Sequence, residues 1–363
     1  MELREYQNAA VMFLANHRRA ILKAPAGSGK TIIAAAALER VIQAVKRERK
    51  CRVGWLVNTQ EQMQQGLEAI AKFPVIAEKS EVNVACAAAQ TDWSDRDVLV
   101  VDECHHSSAA SWAAQIGSCD GARWGMSATP EAGDREILKQ LFGESVHHVS
   151  RSSVSGNIAS AWVVMLQANL PTTAEKIDRL TEILISNRQR FWRGSPDQLF
   201  QACRWQAVAQ VGIAADHART AAGIAEATAH ISKGDSVLIL INTVEHGLAI
   251  AAAIPDSVCV HSGIGKKKRR AALGGFKDGS IKCIVATSLA DEGMDVPRAG
   301  VLILLSGGRS NRLAEQRTGR VLRTFAGKDE ARIYDFTDAH HPTMASQSKA
   351  RVRLYRQLGY KIE

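Results

Sequence analysis

The sequence lacks the paired cysteines and long apolar runs that mark zinc-binding, disulfide-rich or membrane-spanning proteins. Its seven cysteines are scattered along 363 residues without a C-x-x-C pair, so we expect reduced thiols, with neither a disulfide framework nor a zinc site. No segment approaches 18 uninterrupted apolar residues, which predicts that there is no transmembrane helix. The N-terminus is charged and lacks the apolar stretch of a signal peptide, so we expect a cytoplasmic location and no membrane partner.

Apolar and charged residues occur in the proportions of a globular protein. Apolar residues make up 46% of the chain and charged residues 23%, and a chain of this length is natural for two domains. Lysine and arginine outnumber the acids, which gives a net charge of +9 and a pI near 9.3. The excess of positive charge suggests a polyanionic partner, but charge alone does not decide this because many basic proteins bind nothing anionic.

The most informative stretch is Lys23–Thr31, which reads Lys-Ala-Pro-Ala-Gly-Ser-Gly-Lys-Thr. It follows a short apolar run that predicts a strand and precedes an alanine- and leucine-rich run that predicts a helix. Strand, glycine loop and helix are the context that a phosphate-binding P-loop requires. The N–H groups of Gly27-Ser28-Gly29 would face an anion, Lys30 would reach the β- and γ-phosphates, and the Thr31 hydroxyl would bind magnesium.

The alternative for this stretch is a glycine-rich turn ahead of a helix. Ala24 stands where the usual motif has its first glycine. The spacing from that position to Gly29-Lys30-Thr31 is intact, so the sequence indicates a variant P-loop.

A second signal is the apolar run Val98–Val101, followed by Asp102 and Glu103. The run predicts a buried parallel strand with two carboxylates at its carboxyl end. This end lies beside the P-loop in such sheets. Asp102 is therefore expected to hold magnesium through water, and Glu103 to orient or deprotonate the water that attacks the γ-phosphate. The role of the nearby His105 is ambiguous from the residues alone.

Two later stretches carry polar side chains at regular intervals, hydroxyls two residues apart in the first and arginines three residues apart in the second. A predicted strand ends in the hydroxyls of Ser127 and Thr129, which would tie the acidic strand to a second domain. Further on the alternation of strands and helices restarts and leads to Arg317, Arg320 and Arg323. On a helix these three arginines share a face, where they repel each other unless an anion lies opposite.

The middle of the chain, residues 151–216, differs in character and predicts a helical linker or insertion. Arginines alternate with aromatic residues in Arg188–Arg193 and again in Arg204-Trp205. This combination suits phosphate contacts and base stacking on nucleic acid. A helical insertion that packs its aromatic residues against a neighbouring domain explains the pattern equally well, so both interpretations stay open.

Taken together, these blocks resemble those of superfamily 2 helicases of the DExH type. In chain order they read Leu-Arg-x-Tyr-Gln, Ala-Pro-Ala-Gly-Ser-Gly-Lys-Thr, Asp-Glu-Cys-His, Ser-Ala-Thr, Ala-Thr-Ser-Leu-Ala-Asp-Glu-Gly-Met-Asp-Val-Pro and Gln-Arg-Thr-Gly-Arg-Val-Leu-Arg. The resemblance covers nearly the whole chain except residues 150–215. Within the superfamily the chain is similar to the group containing XPB, the phage UvsW helicase and the motor subunits of type I and III restriction enzymes.

The resemblance implies an α/β fold with two RecA-like parallel-sheet domains, at residues 1–150 and 217–363, which bind ATP and magnesium between them. The helical segment 151–216 would join them. The implied catalytic residues are Lys30, Asp102, Glu103, Gln316, Arg320 and Arg323. The implied nucleotide and magnesium contacts are Gln7 at the adenine, Gly27, Ser28, Gly29, Lys30, Thr31, Asp102, Gly293 and Asp295. Residues implied to line the nucleic-acid track are Thr59, Gln90 and Thr287, and those implied to couple hydrolysis to movement are His105, Ser127 and Thr129.

The implied function is an ATP-dependent helicase or translocase that moves along nucleic acid, with DNA as the main expectation. An RNA helicase stays open, because contacts to the 2′-hydroxyl leave no motif in this sequence. A protein that clamps or remodels nucleic acid under ATP control, without separating strands, is a second alternative. A small-molecule kinase would leave the second α/β domain and its arginines unexplained.

Overall fold

The chain forms two compact units, Met1–Asn157 and Ile158–Glu363. The computed structural model describes residues 2–44, 48–154, 159–167, 173–287, 294, 296–308, 311–323, 325, 328–339 and 341–363, with the main chain alone at 173, 311–313 and 316. Each unit is built on a parallel β-sheet interleaved with helices, which confirms the predicted α/β class with two parallel-sheet domains. Within the described ranges, no helix is both long and apolar enough to cross a bilayer.

The first unit contains a six-stranded sheet in the order β3-β2-β4-β5-β1-β6. Its strands are β1 Arg19–Lys23, β2 Cys51–Val57, β3 Ser80–Cys86, β4 Val98–Asp102, β5 Ala122–Ser127 and β6 Val146–His148. Its helices are α1 Glu5–Ala15, α2 Lys30–Ala44, α3 Gln60–Ile70, α4 Pro74–Lys79, α5 Ala110–Gly117, α6 Arg135–Phe142 and α7 Arg151–Val154. The strands β4, β5 and β1 lie side by side and run parallel, so their carboxyl ends meet at one edge of the sheet.

The second unit contains a seven-stranded sheet in the order β13-β7-β12-β11-β8-β10-β9. Its strands are β7 Ser160–Gln167, β8 Val237–Ile241, β9 Ser257–Val260, β10 Cys283–Thr287, β11 Val301–Leu304, β12 Glu330–Thr337 and β13 Lys361–Ile362. Its helices are α8 Thr173–Arg188, α9 Pro196–Ala207, α10 His217–Ser232, α11 Val244–Ala253, α12 Lys266–Asp278, α13 Asn311–Val321 and α14 Pro342–Gln357. The central strands β8, β10 and β11 are buried at every position, as strands covered on both faces are.

The middle of the chain differs from the predicted helical linker. Residues 151–216 do contain helices, but they also contain β7, which pairs in parallel with β12 along its full length. Ala161 and Val163 of this strand are buried in the core of the second unit. Its apolar run, Ala161–Leu166, is too short for a helix and contains Trp162, Val163 and Val164, side chains of the aromatic and β-branched kinds that favour strands. The second unit therefore begins at Ile158 and includes most of the segment predicted to lie between domains.

Candidate nucleotide site

The loop Ala24–Gly29 connects β1 to α2, which begins at Lys30. Gly27 and Gly29 have φ angles of +83° and +81°, a conformation that residues with a Cβ rarely adopt. A Cβ on Gly29 would also lie 2.8 Å from Nε2 of Gln7. Two positive φ angles directly before a helix N-terminus make the concave backbone that accepts a phosphate, so the local geometry fits the predicted P-loop.

Side chains from α1 hold this loop in place. Gln7 is buried, and its Nε2 donates to the carbonyl oxygen of Ser28 at 3.1 Å. The hydroxyl of Tyr6 donates to the same oxygen at 3.0 Å, and the Arg4 N–H donates to Oε1 of Gln7 at 3.0 Å. The structure thus gives Gln7 a contact with the loop itself, whereas its predicted contact with adenine stays a prediction. Sequence reasoning missed Tyr6, although it directly precedes Gln7.

Lys30 and the two acids of the β4 end lie around one buried thiol. Lys30 Nζ donates to the carbonyl oxygen of Ala24 at 3.2 Å. The pKa of Cys104 is raised well above its usual value by burial first, and then by the charges of Glu103 and Asp102, while Lys30 acts in the opposite direction. The strand β1 that leads into the P-loop and the strand β4 that ends in Asp102 lie on either side of β5 and run parallel to it. The first unit therefore brings the predicted phosphate-binding lysine and both predicted carboxylates to the same edge of its sheet.

Glu103 is held in an unusual backbone conformation. Its φ and ψ angles are +50° and +49°, which for a residue other than glycine costs about 1–3 kcal/mol. Its N–H donates to Oδ1 of Asp102 at 2.9 Å. Its buried Oε2 has no hydrogen-bond partner among the described residues and lies 3.4 Å from Nδ1 of His105. Strain and an unsatisfied carboxylate oxygen are typical of a residue whose partner arrives with the substrate.

His105 connects the acids to the end of β5. Its Nδ1 lies 2.9 Å from Oγ of Ser127, which also accepts from the N–H of Thr129 at 3.0 Å. The carbonyl oxygen of Ser127 accepts from the N–H of Ala24 at 3.1 Å. A continuous set of contacts therefore joins the P-loop, the acidic strand end and the segment 127–129. The three residues predicted to couple hydrolysis to movement lie together, and their coupling role stays a prediction.

The residues predicted to line the nucleic-acid track lie at or just after strand ends. Thr59 follows β2, but its hydroxyl caps α3 by accepting from the N–H of Gln62 at 3.3 Å. Gln90 follows β3 with a φ of +50°. Thr287 is the last residue of β10 and is buried. Thr59 therefore has a structural role that the sequence analysis did not predict, and contacts of all three with nucleic acid stay predictions.

The arginine motif lies on α13 and just beyond it. Arg317 is buried, and its Nη1 donates to Oγ of Ser306 at 3.1 Å. Arg320 is partly exposed, and its Nη1 donates to the carbonyl oxygen of Met294 at 2.6 Å. The helix ends at Val321, before Arg323. The expectation that three arginines share one helix face is therefore wrong for Arg323, because the chain has already turned out of the helix, and Arg317 faces the interior of its own unit.

Three positions of the predicted site lie wholly or partly outside the described residues. Gly293 and Asp295 lie outside the described residues, and so does the side chain of Gln316.

The parallel sheet with a P-loop after β1 and paired acids after β4, followed by a second parallel sheet, defines a tandem RecA-like ATPase. The family model described as "Type III restriction enzyme, res subunit" matches residues 1–92, and the model "Helicase conserved C-terminal domain" matches residues 221–325. The chain belongs to the superfamily 2 helicases and translocases of the XPB and type III restriction type, and it is an ATP-hydrolysing enzyme.

Similar proteins agree with this assignment. The chain is 27% identical over 356 residues to a DNA 3'-5' translocase XPB2 of Sulfurisphaera tokodaii, covering 89% of this chain and 79% of that protein. A DEAD-box ATP-dependent RNA helicase 53 of Oryza sativa is 28% identical, but over only 30% of this chain and 18% of its own. The long match is thus to a translocase named for DNA, and the short one to a helicase named for RNA.

Solved structures support the fold. The Pyrococcus furiosus Hef helicase domain has a TM-score of 0.54 and 14% identity, covering 92% of this chain and 96% of that one. Mycobacterium smegmatis helicase Lhr, solved with ssDNA and AMP-PNP, has a TM-score of 0.61 and 14% identity, covering 99% of this chain and about half, 48%, of that one. At this identity the likeness concerns the fold alone.

Proposed function

We propose that this chain is a DNA translocase or helicase that couples ATP hydrolysis to movement along the DNA backbone. The observation that carries the proposal is that the P-loop with Lys30, the acids Asp102 and Glu103, and the His105–Ser127 contact lie at the same edge of one parallel sheet. The second unit of the chain carries Arg320. The length of the match to the archaeal translocase supports DNA over RNA. A cytoplasmic location, expected from the charged N-terminus, stays a prediction.

The residues present fit ATP with magnesium. The positive φ angles of Gly27 and Gly29 give the loop the concave backbone that suits an anion. The N–H of Ser28 donates to the carbonyl oxygen of Pro25 at 3.2 Å. The hydroxyl of Thr31 and the carboxylate of Asp102 are the hard oxygen ligands that magnesium prefers. Magnesium is usually held by one or two protein oxygens together with substrate phosphates and water.

In this proposal each residue of the site has one task. Magnesium held at this site would neutralise charge on the phosphates. Lys30 and the N–H groups of the loop hold the phosphates, and Thr31 and Asp102 hold the metal. Glu103 accepts the proton of the attacking water, and Oγ of Ser127 positions His105 against that carboxylate. Arg320 and Arg323 are proposed to stabilise the charge on the γ-phosphate from the second unit.

The proposal is tested by steady-state ATP hydrolysis with single-stranded DNA, duplex DNA, forked DNA and RNA, each across a range of concentrations. We expect DNA to raise kcat and RNA to have a smaller effect. Stimulation by RNA alone would favour the RNA helicase, and no stimulation by any of the four would exclude both. Strand release from the forked DNA then separates a helicase from a translocase that does not unwind.

Glu103→Gln should separate ATP binding from chemistry. The amide keeps the shape of the side chain and loses the base, so we expect turnover to fall by about a hundredfold to ten thousandfold while ATP still binds. Turnover and nucleotide affinity are measured together, with Glu136→Gln, which removes the same charge from an exposed position on α6, as the control. Loss of ATP affinity in a folded Glu103→Gln protein would assign this residue a different task.

The turn between α8 and α9 is the candidate nucleic-acid contact of the middle segment. Phe191 is 84% exposed and Trp192 38% exposed, and Arg190 and Arg193 beside them are exposed as well. Trp205, predicted to act with them, lies elsewhere, with its ring 4.0 Å from the position that a Cβ on Gly308 would take. Trp205 is itself 36% exposed, so both aromatic groups remain candidates for base stacking, and the turn adds two exposed arginines for phosphate contact.

Replacing Arg190, Trp192 and Arg193 together by alanine should weaken DNA binding. Each lost phosphate contact should reduce the slope of log affinity against log salt by about 1. Binding is measured by anisotropy at several salt concentrations, with Arg179→Ala, an exposed arginine near the start of α8, as the control. Unchanged binding together with lower thermal stability would favour the packing interpretation of this segment.

A further inference from the structure

The described part of the loop after β11, residues 305–308, has a backbone that is fixed from several sides. Gly307 and Gly308 have φ angles of +59° and +109°, and a Cβ on Gly307 would lie 2.9 Å from the Ile213 side chain. The carbonyl oxygen of Ser306 accepts from Nδ2 of Asn242 at 2.5 Å. Its hydroxyl accepts from Arg317, as described above. Through this bond the described part of the loop is tied to Arg317 of α13, three residues before Arg320.

A buried arginine on α14 holds the end of the same loop. Arg351 is 2% exposed, and its Nη1 donates to the carbonyl oxygen of Gly308 at 2.6 Å. Its Nε and Nη2 donate to the two oxygens of Asp335, at 2.7 and 3.0 Å. The two bonds to one carboxylate fix the plane of the guanidinium. The remaining nitrogen is thereby directed at Gly308.

Asp335 is itself fully engaged. Its Oδ2 accepts from the hydroxyl of Tyr355 at 2.8 Å, and its Oδ1 accepts from the N–H of Phe336 at 2.7 Å. Burial favours a raised pKa for Asp335, but the charge of Arg351 and these hydrogen bonds hold its pKa below the usual value, so the carboxylate is ionised. A buried ion pair of this kind adds little net stability, because desolvation offsets the attraction. The ion pair instead fixes the orientation of the Arg351 guanidinium, so that Nη1 points at the carbonyl oxygen of Gly308.

The segment around α14 also touches the other end of the arginine helix. The hydroxyl of Tyr360 lies 3.0 Å from Oγ1 of Thr318 on α13, and the rings of Tyr355 and Tyr360 stack with centroids 5.9 Å apart. Thr318 lies two residues from Arg320. The C-terminal segment of the described chain therefore supports α13 both before its start and near its arginine.

We propose that Arg351 is a positioning residue for ATP hydrolysis. Held by Asp335, it fixes the carbonyl of Gly308 and with it the neighbouring Ser306, which accepts from Arg317 of α13, so that Arg320 is presented in one orientation. This inference rests on the proposed function, since it assigns Arg320 a part in turnover. Misplacing a catalytic group by about 1 Å can cost about a hundredfold in rate, so the loss of one such contact has a measurable effect.

Arg351→Lys is the variant that tests this proposal. Lysine keeps the positive charge beside Asp335, but its single nitrogen cannot hold both carboxylate oxygens and also reach Gly308. We expect faster hydrogen–deuterium exchange in the peptide 305–321, and kcat for DNA-stimulated hydrolysis reduced by about tenfold to a hundredfold. The KM for ATP and the affinity for DNA should stay unchanged. Asp335→Asn, which frees the guanidinium without removing it, should act in the same direction and serves if Arg351→Lys fails to fold.

Tyr334→Phe is the matched control, because it removes one buried hydrogen bond, between its hydroxyl and Nε2 of His230 at 2.8 Å, from β12, the strand that also carries Asp335. The Tyr334 hydroxyl has no described hydrogen bond with Asp335, Arg351 or Gly308. It should lower thermal stability and leave both the exchange of 305–321 and kcat unchanged. Wild-type exchange of this peptide in folded Arg351→Lys would overturn the proposal, and so would a loss of kcat no larger than in the control. If DNA fails to stimulate the wild type, the proposed function fails, while exchange of 305–321 still decides whether Arg351 fixes the loop.

Discussion

Lys30→Ala is expected to abolish ATP turnover while leaving the fold intact. The side chain makes one described hydrogen bond, to the carbonyl oxygen of Ala24, and a bond of this kind contributes only about 0.5–1.5 kcal/mol to stability. Its proposed task is to hold the β- and γ-phosphates, a task that we assign to no other lysine. Turnover and thermal unfolding are measured on the same preparation.

Lys23→Ala is the control for this prediction. Lys23 ends β1 just ahead of the P-loop, and it forms an ion pair with Glu131. Its removal should leave turnover largely unchanged. Near-normal hydrolysis by folded Lys30→Ala would show that the loop is not the phosphate site.

Arg320→Ala is expected to lose stimulation by DNA and most of the turnover, while ATP still binds to the first unit. Arginine fingers are worth about 10³–10⁵ in turnover in related phosphoryl-transfer enzymes. Arg320 is partly exposed, and its described hydrogen bond is to the carbonyl oxygen of Met294. Lys30 and Arg320 belong to different units, so the proposal requires both units to act on one ATP molecule.

Arg353→Ala removes the same charge from an exposed position on α14 and should hydrolyse ATP like the wild type. ATP binding is measured with a fluorescent nucleotide, and turnover with and without DNA. An Arg320→Ala protein that hydrolyses ATP normally and still responds to DNA would show that the second unit contributes no arginine to the site.

The P-loop and the acidic strand could be predicted from the sequence because local patterns determine them. The apolar run of residues 98–101 lies in β4, and the loop between β1 and α2 has its glycines where positive φ angles are needed. Both depend on neighbours in the chain, which a sequence displays directly. The burial of Arg317 and the cap formed by Thr59 were missed, because an arginine in a motif and a threonine after a strand each fit more than one role.

Tertiary placement decided the remaining features. Strand β7 was missed because its partner β12 lies more than 150 residues further along the chain. The Asp335–Arg351 pair could not be found either, since charged residues are seldom buried and no spacing indicates when they are. The positions of such groups follow from the packing of several elements, which propensity and periodicity do not encode.

The most direct test of the account is the kcat of ATP hydrolysis by the wild type, measured as the concentration of single-stranded DNA is raised. The account predicts a saturable rise in kcat for the wild type. Neither variant should show this rise: Lys30→Ala does not hydrolyse ATP, and Arg320→Ala lacks the arginine finger of the second unit. A wild-type rate that does not change with single-stranded DNA, duplex DNA, forked DNA or RNA would contradict it.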